Sequence, residues 1–483
     1  IPGPNPEDGW WYKFGQHAAR FAMSVRNFSF TYKNTYAMTL PGFRPEVGDM
    51  FGQKKHGGFL APGIDFAFGL TGDGYIDRAL QNDWLVCNDS IVSPASSNAL
   101  EDLQLRISLE PIRDLKIDLT ANRTRNRSRE MQYMFAGMPD TRSGNFSMSI
   151  ISIGSSFERH SAGDGYRSGT FERFRRNLDV IRDRVESQFI GAQYPQGSAF
   201  AGKTFDPANG TISKHSPDVM IPAFLAAYTG RNARNSALDF FPSLFSMMPN
   251  WRITYTGLTK IAWFKKNFRS VNLNHAYRST YSVGSYNTFQ SFMSYMGDIG
   301  FVEDVQSGNP IPSSRFDISM VSINEQFSPL IGMDATLKNG LTAKVEYKTS
   351  RILNLSMSAC QLVETASRDF VIGLGYKIVN FNLFGRRNVK DSKNRVSHDL
   401  ALRTDISFRN QSALCRDIQQ GFAQATNGNK ALKISCSADY TLSRLLTLRL
   451  YYDRQQNTPL ISSSSYPVVS ADFGFSMKFS LTR

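Results

Sequence analysis

The residues best suited to phosphate chemistry lie at 197–204, where Gly-Ser-Ala-Phe-Ala-Gly-Lys-Thr matches the pattern of a phosphate-binding loop. Such a loop surrounds phosphates with backbone N–H groups and a lysine, and it needs a strand before it and a helix after it. Pro207 and the Asn209-Gly210 pair follow the motif here, and both disfavour that helix. We therefore interpret the motif as a chance match, and we predict neither a cofactor nor a metal site.

Three histidines are the candidates for hydrolase chemistry: His160, His215 and His275. The first two precede serines in predicted loops that carry no nucleophile motif, and His275 shares the apolar side of a predicted strand. Because a serine hydrolase needs a nucleophile, a base and an orienting group together, and no such set can be named, we predict no catalytic residues and no enzymatic activity. An outer-membrane hydrolase stays as an alternative, tested by replacing the three histidines and assaying lipid hydrolysis.

The chain is basic, with a net charge of +14. It carries no nucleic-acid motif, so no nucleic-acid partner is predicted. One predicted strand has arginine at every second position, on the side that Leu115, Ile117 and Leu119 occupy further back: Arg123, Arg125, Arg127 and Arg129. A strand that leaves a membrane for water explains this row, and contact with phosphates or lipid anions at the interface is the alternative.

The four cysteines, Cys87, Cys360, Cys415 and Cys436, have neither CxxC nor metal-ligand spacing. Some of them could pair in an exported protein, and the sequence leaves the pairing open. Cys436 lies in a predicted strand, where an isolated buried thiol is expected.

The elements that would position these residues are strands, because apolar residues recur at every second position over most of the chain. No window of about 18 apolar residues predicts a transmembrane helix. The predicted strands are long, and several apolar rows end in tyrosine, as in the aromatic girdles of membrane barrels: Tyr347, Tyr376, Tyr440 and Tyr452. We predict an all-β fold, the wall of an antiparallel transmembrane β-barrel with about 14–16 strands.

Loop lengths test this prediction, because such barrels have short periplasmic turns and long outer loops. With the C-terminus in the periplasm, predicted turns at 441–444, 349–351 and 324–328 are short and periplasmic. The long connections at 454–467, 411–428, 285–313 and 161–249 fall outside. Lys338-Asn339-Gly340 and 385–397 break the pattern.

The segment 161–249 is too long for a hairpin loop and is predicted to be a partly helical insert that folds over a barrel mouth or into a lumen. A helix is expected at 170–188, with one apolar stripe that makes it a candidate cap or gate helix: Phe171, Phe174, Leu178, Ile181 and Val185. A second helix is expected at 219–228. The insert divides the chain into N-terminal strands at 1–160 and a C-terminal meander at 250–483 that closes the barrel.

The last predicted strand, 470–481, alternates most regularly, and five of its residues are expected to face lipid: Phe473, Phe475, Met477, Phe479 and Leu481. The chain begins at Ile1 without a signal peptide, and its opening is rich in proline. Either export processing removed the leader, or the chain is an internal or C-terminal segment of a longer protein, which the proline-rich opening favours.

Several stretches, in the same order along the chain, closely resemble the SprA/Sov family: 24–32, 40–43, 109–111, 116–123, 218–230, 274–281, 327–332, 344–347, 448–453 and 457–459. Ile-Pro-Ala-Phe-Leu-Ala-Ala-Tyr at 221–228 is the most specific of them. The resemblance implies the outer-membrane translocon of the type IX secretion system of Bacteroidota, which serves protein secretion and gliding motility.

By that resemblance the chain is the C-terminal segment of a longer protein, and its strands belong to a larger barrel. The resemblance implies a pore in the outer membrane that exports folded cargo proteins with C-terminal sorting domains. The implied partners are the upstream part of the same barrel (on the same or a separate chain), a PorV-like barrel protein, a periplasmic plug protein and outer-membrane lipid. The alternative is a small-solute or lipid-transport barrel, which would close from one chain and carry an N-terminal plug sequence.

Overall fold

A computed structural model of the chain describes residues 23–46, 48, 51–69, 71–72, 74–87, 93–133, 140–158, 160–379, 381, 399–442, 445–461 and 466–479. Within these residues, fourteen strands form one antiparallel sheet. The predicted antiparallel wall with a partly helical insert is confirmed.

The strands of the described chain are β1 (Val25–Thr39), β2 (Lys54–His56), β3 (Phe59–Ala61), β4 (Ala95–Ile112), β5 (Leu115–Met131), β6 (Asp140–Ser149), β7 (Asn250–Tyr255), β8 (Phe268–Thr288), β9 (Met293–Met296), β10 (Ile299–Glu303), β11 (Pro310–Ser314), β12 (Phe316–Ile318), β13 (Met320–Leu337), β14 (Leu341–Ser356), β15 (Gln361–Ile378), β16 (Leu400–Asp417), β17 (Ala423–Thr441), β18 (Leu446–Pro459) and β19 (Val468–Phe479). The helices are α1 (Ile64–Ala67), α2 (Tyr75–Gln81), α3 (Gly169–Ser187), α4 (Pro217–Tyr228) and α5 (Ala262–Asn267).

The strand order of the large sheet is β1-β4-β5-β6-β8-β13-β14-β15-β16-β17-β18-β19. Both β6 and β7 lie between the long strands β5 and β8, one after the other along their length. Each of them pairs with both β5 and β8. From β13 onward each strand pairs with its successor, which confirms the predicted meander. Among the described residues, the edge strands β1 and β19 do not pair with each other.

Two of the predicted turns are wrong, because the strands are longer than expected. Residues 324–328 lie inside β13 and residues 349–351 lie inside β14. The charged and polar side chains there looked like loop residues, and Pro329 sits at a bulge where the register with β14 shifts. With these turns removed, Lys338-Asn339-Gly340 falls at the same end of the wall as the connection after β17, so it no longer breaks the pattern of short turns.

The connection predicted at 411–428 is also shorter than expected. β16 extends to Asp417 and β17 begins at Ala423, so only residues 418–422 join them. Residues 411–417, which were predicted to be loop, continue β16 instead. The connection predicted at 385–397 lies outside the described residues.

The predicted helices of the insert are confirmed to within two residues at each end. α3 begins after Ser168, whose side-chain oxygen accepts a hydrogen bond from the Phe171 backbone N–H, as an N-cap residue does. α4 begins with Pro217, whose fixed φ and missing N–H suit a first helical turn. Throughout the described part of the chain, each helix is too short or too polar to traverse a lipid bilayer.

The sequence did not reveal two smaller units. The first holds the hairpin of β2 and β3 with α1 and α2, and it buries Tyr75, Ile76 and Trp84 against the start of β4. The second is the three-stranded sheet of β9, β10 and β11, within the long connection after β8. Its Phe301 is fully buried against Phe189 and Tyr194 of the insert. Strands and helices of three to seven residues carry too little periodicity to be predicted.

Candidate functional site

The large sheet has one polar and one apolar face, and neighbouring rungs of the ladder show the difference. One rung, read from β13 to β19, is Asp334, Lys344, Gly373, Asp405, Ser435, Asp453 and Asp472. An adjacent rung, read from β13 to β17, is Met333, Val345, Ile372, Ile406 and Ile434. Because successive side chains of a strand point to opposite faces, the charges line one face and the apolar residues the other. We call these the polar face and the apolar face.

Much of the apolar face is exposed in the second half of the sheet. Its large exposed side chains include Phe370, Leu374, Tyr376, Leu402, Ile406, Phe408, Leu450 and Tyr452. On β19 the predicted lipid-facing residues are the most exposed, with Phe473 at 72%, Phe475 at 62%, Met477 at 63% and Phe479 at 60%. Leu481 of that prediction lies outside the described residues.

The insert covers the other end of the same apolar face. On β15, Leu362 and Glu364 are buried, whereas Phe370 and Leu374 further along the same side are exposed. The apolar stripe predicted for α3 is buried throughout, and it shares a core with Tyr281 of β8, Val321 of β13 and Leu353 of β14. The structure therefore places the insert on the apolar face. That the insert folds over a barrel mouth or into a lumen stays a prediction.

A buried polar cluster fastens residues 152–156, which follow β6 and precede the insert, to the wall at Glu325 of β13. Its carboxylate accepts hydrogen bonds from the Ser152 and Ser156 hydroxyls at 2.7 and 2.6 Å and from the Tyr277 hydroxyl at 2.7 Å. It also pairs with the guanidinium of Arg351 at 2.7 Å. Arg351 in turn donates to the Ser155 carbonyl at 2.7 Å. A buried carboxylate is stable only when paired and hydrogen-bonded in this way.

A second buried cluster centres on Glu364 of β15. Arg416 of β16 is fully buried, and its Nη2 lies 3.2 Å from Glu364 Oε2. Arg416 Nη1 donates to the Tyr166 carbonyl at 2.5 Å, and His160 Nε2 lies 3.4 Å from Glu364 Oε1. The sequence reasoning missed both clusters, although a charged residue on the apolar side of a strand was a signal that could have found them.

The first turn of α3 is held by Glu158. Its carboxylate accepts from the Ser168 hydroxyl at 2.5 Å and from the Thr170 backbone N–H at 3.0 Å. Burial by itself raises the pKa of Glu158, but these hydrogen bonds outweigh burial, so its pKa lies below the ordinary value. For Asp218 of α4 burial dominates and raises the pKa, although hydrogen bonds from Ser313 and Ser314 act in the opposite direction.

The arginine row of β5 lies on the apolar face beside acidic partners and aromatic rings. Arg123 and Arg127 both pair with Glu101 of β4, at 3.6 and 2.5 Å. The Arg125 guanidinium lies 4.9 Å from the ring centre of Phe241 in the insert. Arg123 and Arg125 therefore contact packed protein, and contact of either with a lipid anion would require these partners to move.

Arg129, at the end of the same row, pairs with Asp140 of β6 at 2.8 Å and with Asp77 of α2 at 3.2 Å. It thereby joins the small N-terminal unit to the wall.

The loop at 197–204 and the candidate histidines lie in surroundings that do not form a phosphate-binding or hydrolase site. The loop at 197–204 is followed by a 3₁₀ turn at Pro207–Asn209, and the next α-helix begins only at Pro217. His275 Nδ1 lies 2.6 Å from the Leu330 carbonyl, and His160 Nδ1 lies 3.1 Å from the Arg167 carbonyl. No hydrogen bond recorded for the described residues joins a serine hydroxyl to a histidine ring.

The four cysteines are free thiols. Cys436 is only half-buried on β17, so the buried thiol expected there is wrong, and Cys415 is the buried one. Cys436 stays accessible because its side of β17 belongs to the part of the apolar face that the insert does not cover.

Comparison with known proteins gives the following matches. No protein-family model and no curated protein matches the chain. Among solved structures, the β domain of the Bordetella autotransporter Brka covers 80% of this chain and 92% of its own, at 5% identity and a TM-score of 0.23. Two structures of OmpT, an outer membrane protein of Vibrio cholerae, are an in-vitro folded trimer form and a loop L8 deletion mutant. They match at 9% and 7% identity with TM-scores of 0.21 and 0.20, each covering 94% of this chain and 98% of its own. At TM-scores this low the matches carry no argument, and the fold rests on the strand pairing described above.

Proposed function

We propose that the chain is part of the wall of an outer-membrane β-barrel whose lumen conducts folded proteins, the translocon that the resemblance to the SprA/Sov family implies. The observation that supports this most is the division of the wall into an exposed apolar face and a charged polar face. An outer-membrane pore needs the first toward lipid and the second toward its lumen.

The exposed apolar face fits lipid better than water. Soluble monomers rarely expose a continuous apolar patch larger than a few hundred Å². Here large apolar side chains are exposed on neighbouring strands from β15 to β19, with four in a row on β19 alone. Contact with lipid tails removes the cost of exposing this surface to water.

The length of the strands indicates which part of the wall crosses the bilayer. Crossing requires only about 9–11 residues of a tilted strand. β13, β15 and β16 have 18 residues each. The exposed apolar part accounts for the membrane, and the part covered by the insert projects beyond it. With short turns facing the periplasm, the insert stands on the outer side of the cell.

The sheet edges support a larger barrel. Unpaired backbone groups are very costly in lipid, so only closed barrels and helices span a membrane. Since β1 and β19 do not pair with each other within the described residues, each is expected to pair with further strands. Those strands would come from the upstream part of the same barrel, and every added strand widens the lumen.

The polar face suits passage of a folded protein. The rung through Asp334, Lys344 and Asp405 mixes both signs of charge, and such hydrated side chains give a moving protein surface no apolar patch to adhere to. The contacts of the insert run to the opposite face, so the insert does not obstruct this one. Its outward position suits a cap or a docking surface, for which a PorV-like barrel protein is the partner that the resemblance implies.

The proposal is tested by photo-crosslinking from one strand, because adjacent residues of β17 report on opposite faces. A photoreactive amino acid is placed at Ser435 or Ser437 on the polar face, and at Ile434 or Ala438 on the apolar face, in cells that secrete the cargo. Adducts with secreted protein are expected from the first pair, and adducts with lipid from the second.

Cargo adducts from the apolar pair, or none from the polar pair during active secretion, would overturn the translocon. Lipid adducts at Ile434 without any cargo adduct at Ser435 would instead favour a small-solute or lipid-transport barrel.

A further inference from the structure

An aromatic and cationic patch lies at the end of the wall opposite the insert. It is formed by the segment between β7 and β8, which contains Ile261 and α5, and it adjoins the turn after β13. The Lys338 backbone N–H of that turn donates to the Asn267 carbonyl at 3.2 Å, and the Asn267 side chain donates to the Trp263 carbonyl at 3.1 Å. The patch is therefore attached to the rim of the sheet.

Trp263 is the centre of this patch. Its ring packs edge-on against Phe264 with centroids 4.9 Å apart, and Phe268, the first residue of β8, lies 5.8 Å away. The side chain is nevertheless 61% exposed, and the neighbouring Ile261 is also exposed. A tryptophan held on one side and open on the other matches the indole rings that lie at the headgroup level of bilayers.

Four cations belong to the same segment and the adjoining turn. Lys265 and Lys266 occupy the last turn of α5, Arg269 is the second residue of β8, and Lys338 stands in the adjoining turn. All four side chains are exposed, and none has an ion pair with another described residue. The nearby Lys260 is different, because it pairs with Asp114. Among the described residues these four charges are thus unpaired, so an anion can bind them.

We propose that this patch binds the headgroup of an anionic glycerophospholipid in the bilayer leaflet at that end of the wall. Lys265 and Lys266 would contact the phosphate, and Trp263 with Ile261 would pack on the start of the acyl chains. The inference rests on the proposed membrane-spanning wall, because the patch lies at the lower rim of the apolar face only if that face is in lipid. The two lysines would make the patch prefer anionic lipids, a preference that a girdle of aromatic residues alone does not have.

The test uses the full chain reconstituted in vesicles of phosphatidylethanolamine, with or without phosphatidylglycerol. The acyl chains of one lipid at a time are brominated, and the quenching of tryptophan fluorescence is measured. The difference between the wild type and Trp263→Phe isolates the signal of Trp263. We expect stronger quenching by brominated phosphatidylglycerol than by brominated phosphatidylethanolamine at equal content.

The paired substitution Lys265→Gln with Lys266→Gln should remove this preference. A lysine near an anionic surface contributes about 1 kcal/mol, so the preference is expected to weaken roughly five-fold per lysine and about 25-fold for the pair. The matched control is Lys430→Gln with Lys433→Gln on β17, which removes the same charge elsewhere and should leave quenching unchanged.

Equal quenching by both lipids in the wild type would overturn the proposed headgroup preference. Absence of Trp263 quenching, while a probe at Ile434 still reacts with lipid, would place the patch outside the bilayer and leave the barrel proposal intact. If neither position meets lipid, the proposed wall itself fails.

Discussion

Arg351 Nη2 lies 2.7 Å from Glu325 Oε2, and the two residues face each other on the same rung of β13 and β14. Their side chains are only 8% and 2% exposed. The pair lies on the apolar face of the wall, where Ser152 and Ser156 of the segment before the insert cover it. This contact lies in the part of the apolar face that is covered by packed chain, next to the part whose side chains are exposed.

Arg351→Met is expected to loosen the attachment of residues 152–156 to the wall. The Glu325 carboxylate would keep its hydroxyl donors but lose its counter-charge, and breaking one side of a buried ion pair costs about 3–5 kcal/mol. The measurement is hydrogen exchange of the backbone amides at 152–156 in the detergent-solubilised protein, together with its denaturation midpoint. The double variant with Glu325→Gln removes the stranded charge and should regain most of the loss. A loss below about 1 kcal/mol, typical of an exposed pair, would contradict a structural role.

Arg129→Gln is expected to loosen the N-terminal unit. The guanidinium holds Asp77 of α2 and Asp140 of β6, and hydrogen bonds to charged groups contribute about 1.5–3 kcal/mol. Hydrogen exchange of α2 should rise while exchange of β16 and β17 is unchanged. Arg106→Gln, on the polar side of β4, is the charge-matched control. Equal exchange of α2 in both variants would argue against the link.

Gly144→Ala is expected to destabilise the junction of β5, β6 and β8. A Cβ at this position would lie 2.1 Å from the Asn126 carbonyl oxygen and 2.6 Å from the Tyr286 hydroxyl. Because the nearer atom is backbone, strands must shift, at a cost of about 1–3 kcal/mol. The comparison is Gly284→Ala on β8, where an added Cβ meets nothing within 4 Å. Similar melting temperatures for the two variants would mean that the close approach at Gly144 is not required.

The start of α3 is expected to loosen in acid through Glu158. Its folded-state pKa lies below the ordinary value of 4.5, so its stabilisation is fully present above pH 4.5 and is lost as the pH falls through the folded-state pKa. Hydrogen exchange at 169–174 should therefore accelerate on acidification below that value. Glu158→Gln should show faster exchange already at neutral pH and a smaller change on acidification. An unchanged pH profile in the variant would assign the effect to another group.

The division into a polar and an apolar face could be predicted from the sequence, because side chains alternate with a period of two wherever one side of a strand meets an apolar environment. The same regularity predicted β19, the meander from β13 onward, and the helix α3 with its stripe of five apolar residues. The role of those residues as a cap or gate remains a prediction. These features depend on residues that are close to one another in the sequence. Their periodicity can therefore be predicted from the sequence alone.

Only the tertiary structure decided which part of the apolar face is covered by the insert and which part is exposed. Leu362 and Phe370 have the same parity on β15, yet the first is buried beneath the insert and the second is exposed. For the same reason Glu325 and Arg351 looked like turn residues, although they form a buried pair inside long strands. Burial of a charge depends on partners brought from Ser152, Ser156 and Tyr277, far away along the chain, and no local period encodes which of these partners will meet.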